Sequence, residues 1–291
     1  MISSLAYYLY LTGWKIVAIL PERMAYLLFS KMADFLYTRN GRGIQRLRDN
    51  YRVISPHLSE AELEYLVQQG MRSYMRYWCD TFRIHNWSAQ RIRGSVTTLN
   101  DSLLRDSIKT GRGAVVALPH SGNWDLAGAY FCNEGFPLVT VAEILKPEKL
   151  FRRFLWHRER MGFEVLGLDA RAFVTLMQRA REKRLIALVA DRDLSSSGIE
   201  VEFFGKRAKM PAGPAVLAIK EGLPLIAAHV TYTAIGIHID FMEVPISENG
   251  DESERVNETV QNIAYAFEKG IAAHPEDWHM LQRIWIEDGI Y

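Results

Sequence analysis

From Ser4 to Leu20 the chain is almost wholly apolar and aromatic, interrupted by Lys15, and after Pro21 a second apolar-rich stretch runs from Met24 to Tyr37. The first stretch is shorter than the ~20 apolar residues of a membrane span. It also lacks the basic start and small-residue cleavage site of a secretory signal. Tyr7, Tyr8, Tyr10, Trp14 and Tyr26 are amphipathic aromatics of the kind favoured at a bilayer interface. The pattern predicts two helices within residues 1–38, lying on a membrane surface or buried as ordinary core helices. Ser59 followed by Glu62 is a capping-box signature, opening an amphipathic stretch to about Phe82. Residues 1–93 therefore read as a helical region.

From Gly94 the period changes. Ala114 to Leu118 is a short continuous apolar run, as expected of a strand buried on both faces. Similar runs follow at Pro137–Val141, Phe163–Leu166, Leu185–Ala190 and Pro224–Val230, with a further strand, placed at an edge, at Gly236–Met242. Helical patterns fall between them near 123–133, 147–161, 171–183 and 211–221, and a last helix near 252–272. Alternation of strand and helix predicts an α/β fold with a mostly parallel central sheet flanked by helices. Residues 94–291 form this core, and the N-terminal helical region is expected to join it in one domain. In such sheets ligands bind beyond the carboxyl ends of the strands.

That rule selects two residues. His120 follows the run 114–118 almost at once, and Asp191 follows 185–190 directly. Parallel strands would bring both to one rim. An imidazole is the natural proton acceptor near neutral pH, and a carboxylate fixes its tautomer and stabilises its charged form. Asp125 is the nearer candidate in sequence. Five residues on one helix separate two side chains by about 140°, so that pairing needs His120 in the turn before the helix. Gly122 and Asn123 supply such a turn, with Asn123 as N-cap. Asp125 or Asp191 is therefore the partner, and Asp125 has an alternative role at a helix N-terminus.

Composition narrows the chemistry. The formal net charge of +1 gives no global case for nucleic acid. Cys79 and Cys132 sit among apolar residues and read as packed free thiols. His57, His85, His157, His229, His238, His274 and His279 show no metal-ligand spacing, so no metal and no cofactor is predicted. There is no G-x-S-x-G elbow and no glycine-rich nucleotide loop. A base without an enzyme nucleophile points to direct attack by a substrate hydroxyl on an activated acyl group. Two basic clusters suit phosphate groups or an anionic leaflet: Lys146, Lys149, Arg152, Arg153, Arg158 and Arg160, and Arg39, Arg42, Arg46, Arg48 and Arg52.

The run Pro119-His120-Ser121-Gly122-Asn123-Trp124-Asp125 resembles the H-x-x-x-x-[DE] block of the glycerolipid acyltransferases, in the H-x-G-N-W-E form of the lipid A branch. Arg158 to Gly162, Asp191-Arg192-Asp193, Val201 to Gly205 and Met210 to Ala215 are similar to that branch's later blocks in the same order. Val141 to Leu166 and the ending Asp277-Trp278-His279-Met280-Leu281-Gln282 resemble the actinobacterial phosphatidylinositol mannoside acyltransferases. The resemblance implies transfer of a long acyl chain, palmitoyl favoured, from acyl-CoA to a mannose hydroxyl, by a peripheral enzyme at the cytoplasmic face of the inner membrane. The sequence carries no strong dimer signal, so a monomer is expected. The resemblance further implies a relay of His120 with Asp191, where the family pattern has the longer Glu. It also implies that Glu143, Arg158 and Arg192 line the substrate groove. The alternative is a lipid A-type enzyme using acyl carrier protein, or another glycolipid acceptor. A non-catalytic lipid-binding scaffold and a thioesterase are the rivals outside that class.

Overall fold

A computed structural model describes residues 4–144, 148–168, 171–193, 195 and 197–286, with side chains from residue 10 onward. The chain opens with five helices: α1 (Ser4–Ile19), α2 (Glu22–Arg39), α3 (Arg42–Ile54), α4 (Glu60–Arg83) and α5 (Ala89–Gly94). The Ser59–Glu62 capping box is formed at the start of α4. The Arg83 guanidinium reaches back to the carbonyls of Val17 and Leu20, both at 2.7 Å, and so satisfies the free carboxyl end of α1. Among the described residues no helix is long and apolar enough to cross a membrane.

Strands and helices then alternate. They run β1 (Val96–Leu99), α6 (Ser102–Lys109), β2 (Ala114–Leu118), α7 (Trp124–Asn133), β3 (Leu138–Ala142), α8 (Glu148–Glu159), β4 (Glu164–Gly167), α9 (Ala172–Arg181) and β5 (Leu185–Val189). A hairpin of β6 (Ile199–Phe203) and β7 (Lys206–Met210) follows, then α10 (Gly213–Glu221), β8 (Leu225–Tyr232), β9 (Ile237–Glu243) and α11 (Glu252–Ala273). The seven-stranded sheet has the order β1-β9-β8-β2-β5-β3-β4, parallel throughout except where β9 runs against β8. This is the mostly parallel sheet that the apolar runs predicted. Two details differ. The strand near 236–242 lies inside the sheet, because the short, threonine-rich β1 covers its outer side. The β6–β7 hairpin stands apart as its own two-stranded sheet.

Side-chain alternation sorts the apolar residues onto the two faces. Val115, Ala117, Ile186, Leu188, Leu225 and Ala227 pack with α2, α3, α4, α10 and α11. Val116, Leu118, Leu185, Ile226, Ala228 and Val230 pack with α6 and α7. Two of the aromatics expected at a bilayer point elsewhere. Trp14 is buried against Phe82, Phe154 and His157, and Tyr26 donates to the buried Asp80 at 2.6 Å. The side chains of Tyr7 and Tyr8 lie outside those described. Among the described side chains, the large apolar residues that α1 and α2 expose are mainly aliphatic: Ile16, Ile19, Met24, Leu27, Leu28, Met32 and Leu36, with Phe35.

Candidate active site

β2 and β5 are neighbouring parallel strands with Leu118 opposite Val189, so their carboxyl ends deliver His120 and Asp191 to one point on the rim. His120 Nδ1 lies 2.5 Å from Asp191 Oδ1, and the His120 backbone N–H donates to Asp191 Oδ2 at 3.0 Å. The indole N–H of Trp278 donates to the same Oδ2 at 2.9 Å. Asp191 is fully buried. Burial alone would push its carboxyl up, but the His120 ring and these hydrogen bonds outweigh that and hold it below the ordinary value. With Nδ1–H directed at the carboxylate, Nε2 is left as the acceptor. The His120 side chain is 30% exposed, so a substrate can approach. Although one methylene shorter than Glu, Asp191 reaches both the ring and the backbone of His120.

The turn after His120 is tightly built. Gly122 has φ of +53°, and a Cβ there would stand 2.5 Å from the Val230 carbonyl oxygen. Only glycine fits both conditions. Asn123 Oδ1 accepts from the Leu126 N–H at 2.9 Å and caps α7 as its sequence position predicted. Trp124, the first residue of α7, stands edge-on to the His120 ring at 5.6 Å and stacks on Tyr77 at 4.2 Å.

Asp125 is not joined to His120. Its carboxylate accepts from Arg158 Nε at 2.8 Å and from the Tyr77 hydroxyl at 3.1 Å, and it is 2% exposed. Arg158 is thereby turned inward. It lines the cavity below the site, but as one half of a neutral pair. Glu143 is exposed on the rim just beyond β3, and Arg192 is half-buried beside Asp191.

Behind Trp124 a narrow apolar cavity runs down the sheet under α7, walled by Leu118, Ala127, Gly128, Ala187, Val189, Ala228 and Val230. Small residues at 127, 128, 187 and 228 leave the room, and partial exposure of Ala187 and Val189 within an inner strand marks it. Leu104, Phe131, Leu138 and Leu185, all buried, also line it.

Several members of the basic clusters are engaged within the protein. Arg152 is paired with Glu148, and Arg153 and Arg160 lie over Trp156. Lys146 lies outside the described residues. Arg48 and Arg52 are paired with Glu64 and Glu60, and Arg39 lies over Phe35. Arg42 and Lys149 are exposed.

A histidine–carboxylate pair thus stands at the carboxyl rim of the parallel strands and opens beside a largely apolar slot. The bacterial lipid A biosynthesis acyltransferase family matches residues 1–287, and the chain belongs to that family. It is 40% identical over 283 residues to the phosphatidylinositol mannoside acyltransferase of Mycolicibacterium smegmatis, covering 96% of this chain and 91% of the relative. It is 37% identical over 284 residues to the protein of the same description from Mycobacterium tuberculosis, covering 96% and 88%.

Sequence reasoning missed the contact of Trp278 with Asp191 and the partner of Asp125. The motif at 277–282 stood out, but nothing in it shows that its indole meets Asp191 across 87 residues of chain. The Arg158–Asp125 pair joins α8 to α7 across 33 residues, and neither position marks it in the sequence.

Proposed function

We propose that the protein transfers a long acyl chain, palmitoyl by preference, from acyl-CoA to a mannose hydroxyl of a phosphatidylinositol mannoside, working as a peripheral protein at the cytoplasmic face of the inner membrane. His120 Nε2 takes the proton of the acceptor hydroxyl. The oxygen attacks the thioester carbonyl, a C–O bond forms, the C–S bond breaks, and the imidazolium returns its proton to the departing thiolate. Asp191 stabilises the imidazolium between these steps. The observation that carries the reading is the His120–Asp191 pair beside a largely apolar slot, with Trp124 belonging to both. Glu143 and Arg192, on the same rim, are assigned to the polar groups of the substrates. Arg158 acts on the slot through its pair with Asp125.

The aliphatic face of α2, with Arg42 beyond its end, supports docking on an anionic leaflet. Ile144, just beyond β3, and Trp156 of α8 are further exposed apolar residues.

The test is purified protein with palmitoyl-CoA or palmitoyl-acyl carrier protein and a panel of glycolipid acceptors, with products weighed by mass spectrometry. The reading expects a palmitoylated mannoside from palmitoyl-CoA. Product only with acyl carrier protein and a lipid A precursor would overturn the assignment of donor and acceptor. Thioester cleavage that added mannoside does not stimulate would favour the thioesterase.

A further inference from the structure

The segment Asp277–Met280 crosses behind the catalytic turn as a strap. It is bonded to both sides of that turn. Gly122 N–H donates to Asp277 O at 2.9 Å, His279 N–H donates to His120 O at 2.8 Å, and Ser121 and Trp278 form an antiparallel bridge between these bonds. The strap is itself fastened from three directions. Tyr51 of α3 donates to Trp278 O at 3.0 Å, and Asn50 donates to Met280 O at 2.7 Å. Ser73 of α4 donates to Asp277 Oδ1 at 2.5 Å, and the Tyr232 N–H at the end of β8 donates to Asp277 Oδ2 at 2.7 Å. The indole of Trp278 is 0% exposed, with Phe203 of the β6–β7 hairpin edge-on to it. Its one polar atom is aimed at Asp191 Oδ2.

A buried carboxylate on a single covalent stem can turn about its bond and present either oxygen, or neither, to an imidazole. Here Oδ2 is held by two N–H donors, from the His120 backbone and from Trp278, and Oδ1 is thereby left for His120 Nδ1. The His120 backbone donor moves with the catalytic turn. The Trp278 donor is fixed by α3 and by the strap's bonds to α4 and β8. We infer that Trp278 is a positioning residue, whose indole N–H locks the Asp191 carboxylate in the orientation that pairs it with His120. The inference rests on the reading of His120 and Asp191 as the reacting pair. It gives the 277–282 motif a physical reason: the strap sets both the turn that carries the base and the carboxylate that serves it.

The test compares Trp278→Phe, Asp191→Asn and the double variant by steady-state acyl transfer from palmitoyl-CoA. Loss of a hydrogen bond to a charged group is expected to lower kcat in Trp278→Phe by roughly 10- to 10²-fold. KM for the donor should stay within about twofold, because no substrate contact is removed. If Trp278 acts through Asp191, the double variant is no slower than Asp191→Asn. Should Trp278→Phe fail to fold, benzothienylalanine at 278 keeps the ring shape and replaces N–H by sulfur, and the same pattern is expected. Wild-type turnover in Trp278→Phe with turnover lost in Asp191→Asn would overturn the inference and leave the pair standing. Losses that multiply in the double variant would also overturn it, because they mark a general packing role. Wild-type turnover in Asp191→Asn would remove the pair, and the inference with it.

Discussion

Asp125 is the residue whose place in the fold departs most from its place in the motif, and Asp125→Asn measures the difference. The substitution keeps the shape of the side chain and removes its charge. The Arg158 guanidinium, whose side chain is 18% exposed, is then left without the carboxylate that it meets at 2.8 Å. Breaking a buried ion pair from one side costs about 3–5 kcal/mol. One kcal/mol moves Tm by roughly 2–4 °C in a domain of 150–250 residues, so the expected fall in Tm is on the order of 10 °C. Replacing both partners, Asp125→Leu with Arg158→Leu, should recover much of that loss, since no charge remains buried. The Nδ1 of His120 is already held by Asp191, so turnover per folded molecule in Asp125→Asn should remain well above that of His120→Ala. Calorimetry paired with acyl transfer, corrected for the folded fraction, reads both quantities. An unchanged Tm together with turnover as low as in His120→Ala would refute the reasoning and return Asp125 to the chemistry.

Ala187→Leu puts an isobutyl group into the middle of the slot, where each displaced methylene forfeits ~0.8 kcal/mol. Its kcat/KM for palmitoyl-CoA should fall roughly 10- to 10²-fold while a short-chain donor is little affected; equal losses for both would place the chain elsewhere. Burial pushes the His229 and His279 imidazoles down to about 3 and that of His157 to about 4. Each is neutral when folded and takes a proton near pH 6.5 when unfolded, so its contribution is present above 6.5 and is lost as pH falls toward 3 to 4. His229→Gln should therefore reduce the slope of stability against pH by about 1.4 kcal/mol per unit between pH 4 and 6, and urea titrations with an unchanged slope would contradict this. Leu27→Asp with Phe35→Asp should weaken binding to anionic vesicles at least tenfold with little change in Tm, since these side chains are 61% and 55% exposed; undiminished sedimentation with vesicles would move the docking face off α2.

Much of the sheet could be read from the chain because its inner strands are buried on both faces. Ala114–Leu118 and Leu185–Val189 therefore appear as unbroken apolar runs, which period and length alone identify. β1 could not be read that way. Val96–Leu99 is a short edge strand with half its residues exposed, and its sequence carries no alternation long enough to see. The place of β9 inside the sheet depended on finding β1. His120 and Asp191 were legible because each directly follows such a run, and parallel pairing then puts them together. The fate of Trp14 and Tyr26 was not, because an amphipathic ring suits a lipid interface and a half-polar core equally well. Trp14 donates to the Phe82 carbonyl at 3.1 Å and Tyr26 to Asp80, so each polar tip finds a buried partner instead of a headgroup. Nor does a residue list separate slot from core. Ala187 and Ala228 become slot walls only because other small residues, Ala127 and Gly128, face them from α7.

The most direct test of the account is the initial rate of mannoside palmitoylation by His120→Ala beside the wild-type protein, at saturating palmitoyl-CoA with folding verified. Removal of a general base is worth ~10²–10⁴-fold, and the account predicts a fall of that size with donor binding retained. A rate within a few fold of wild type would contradict it.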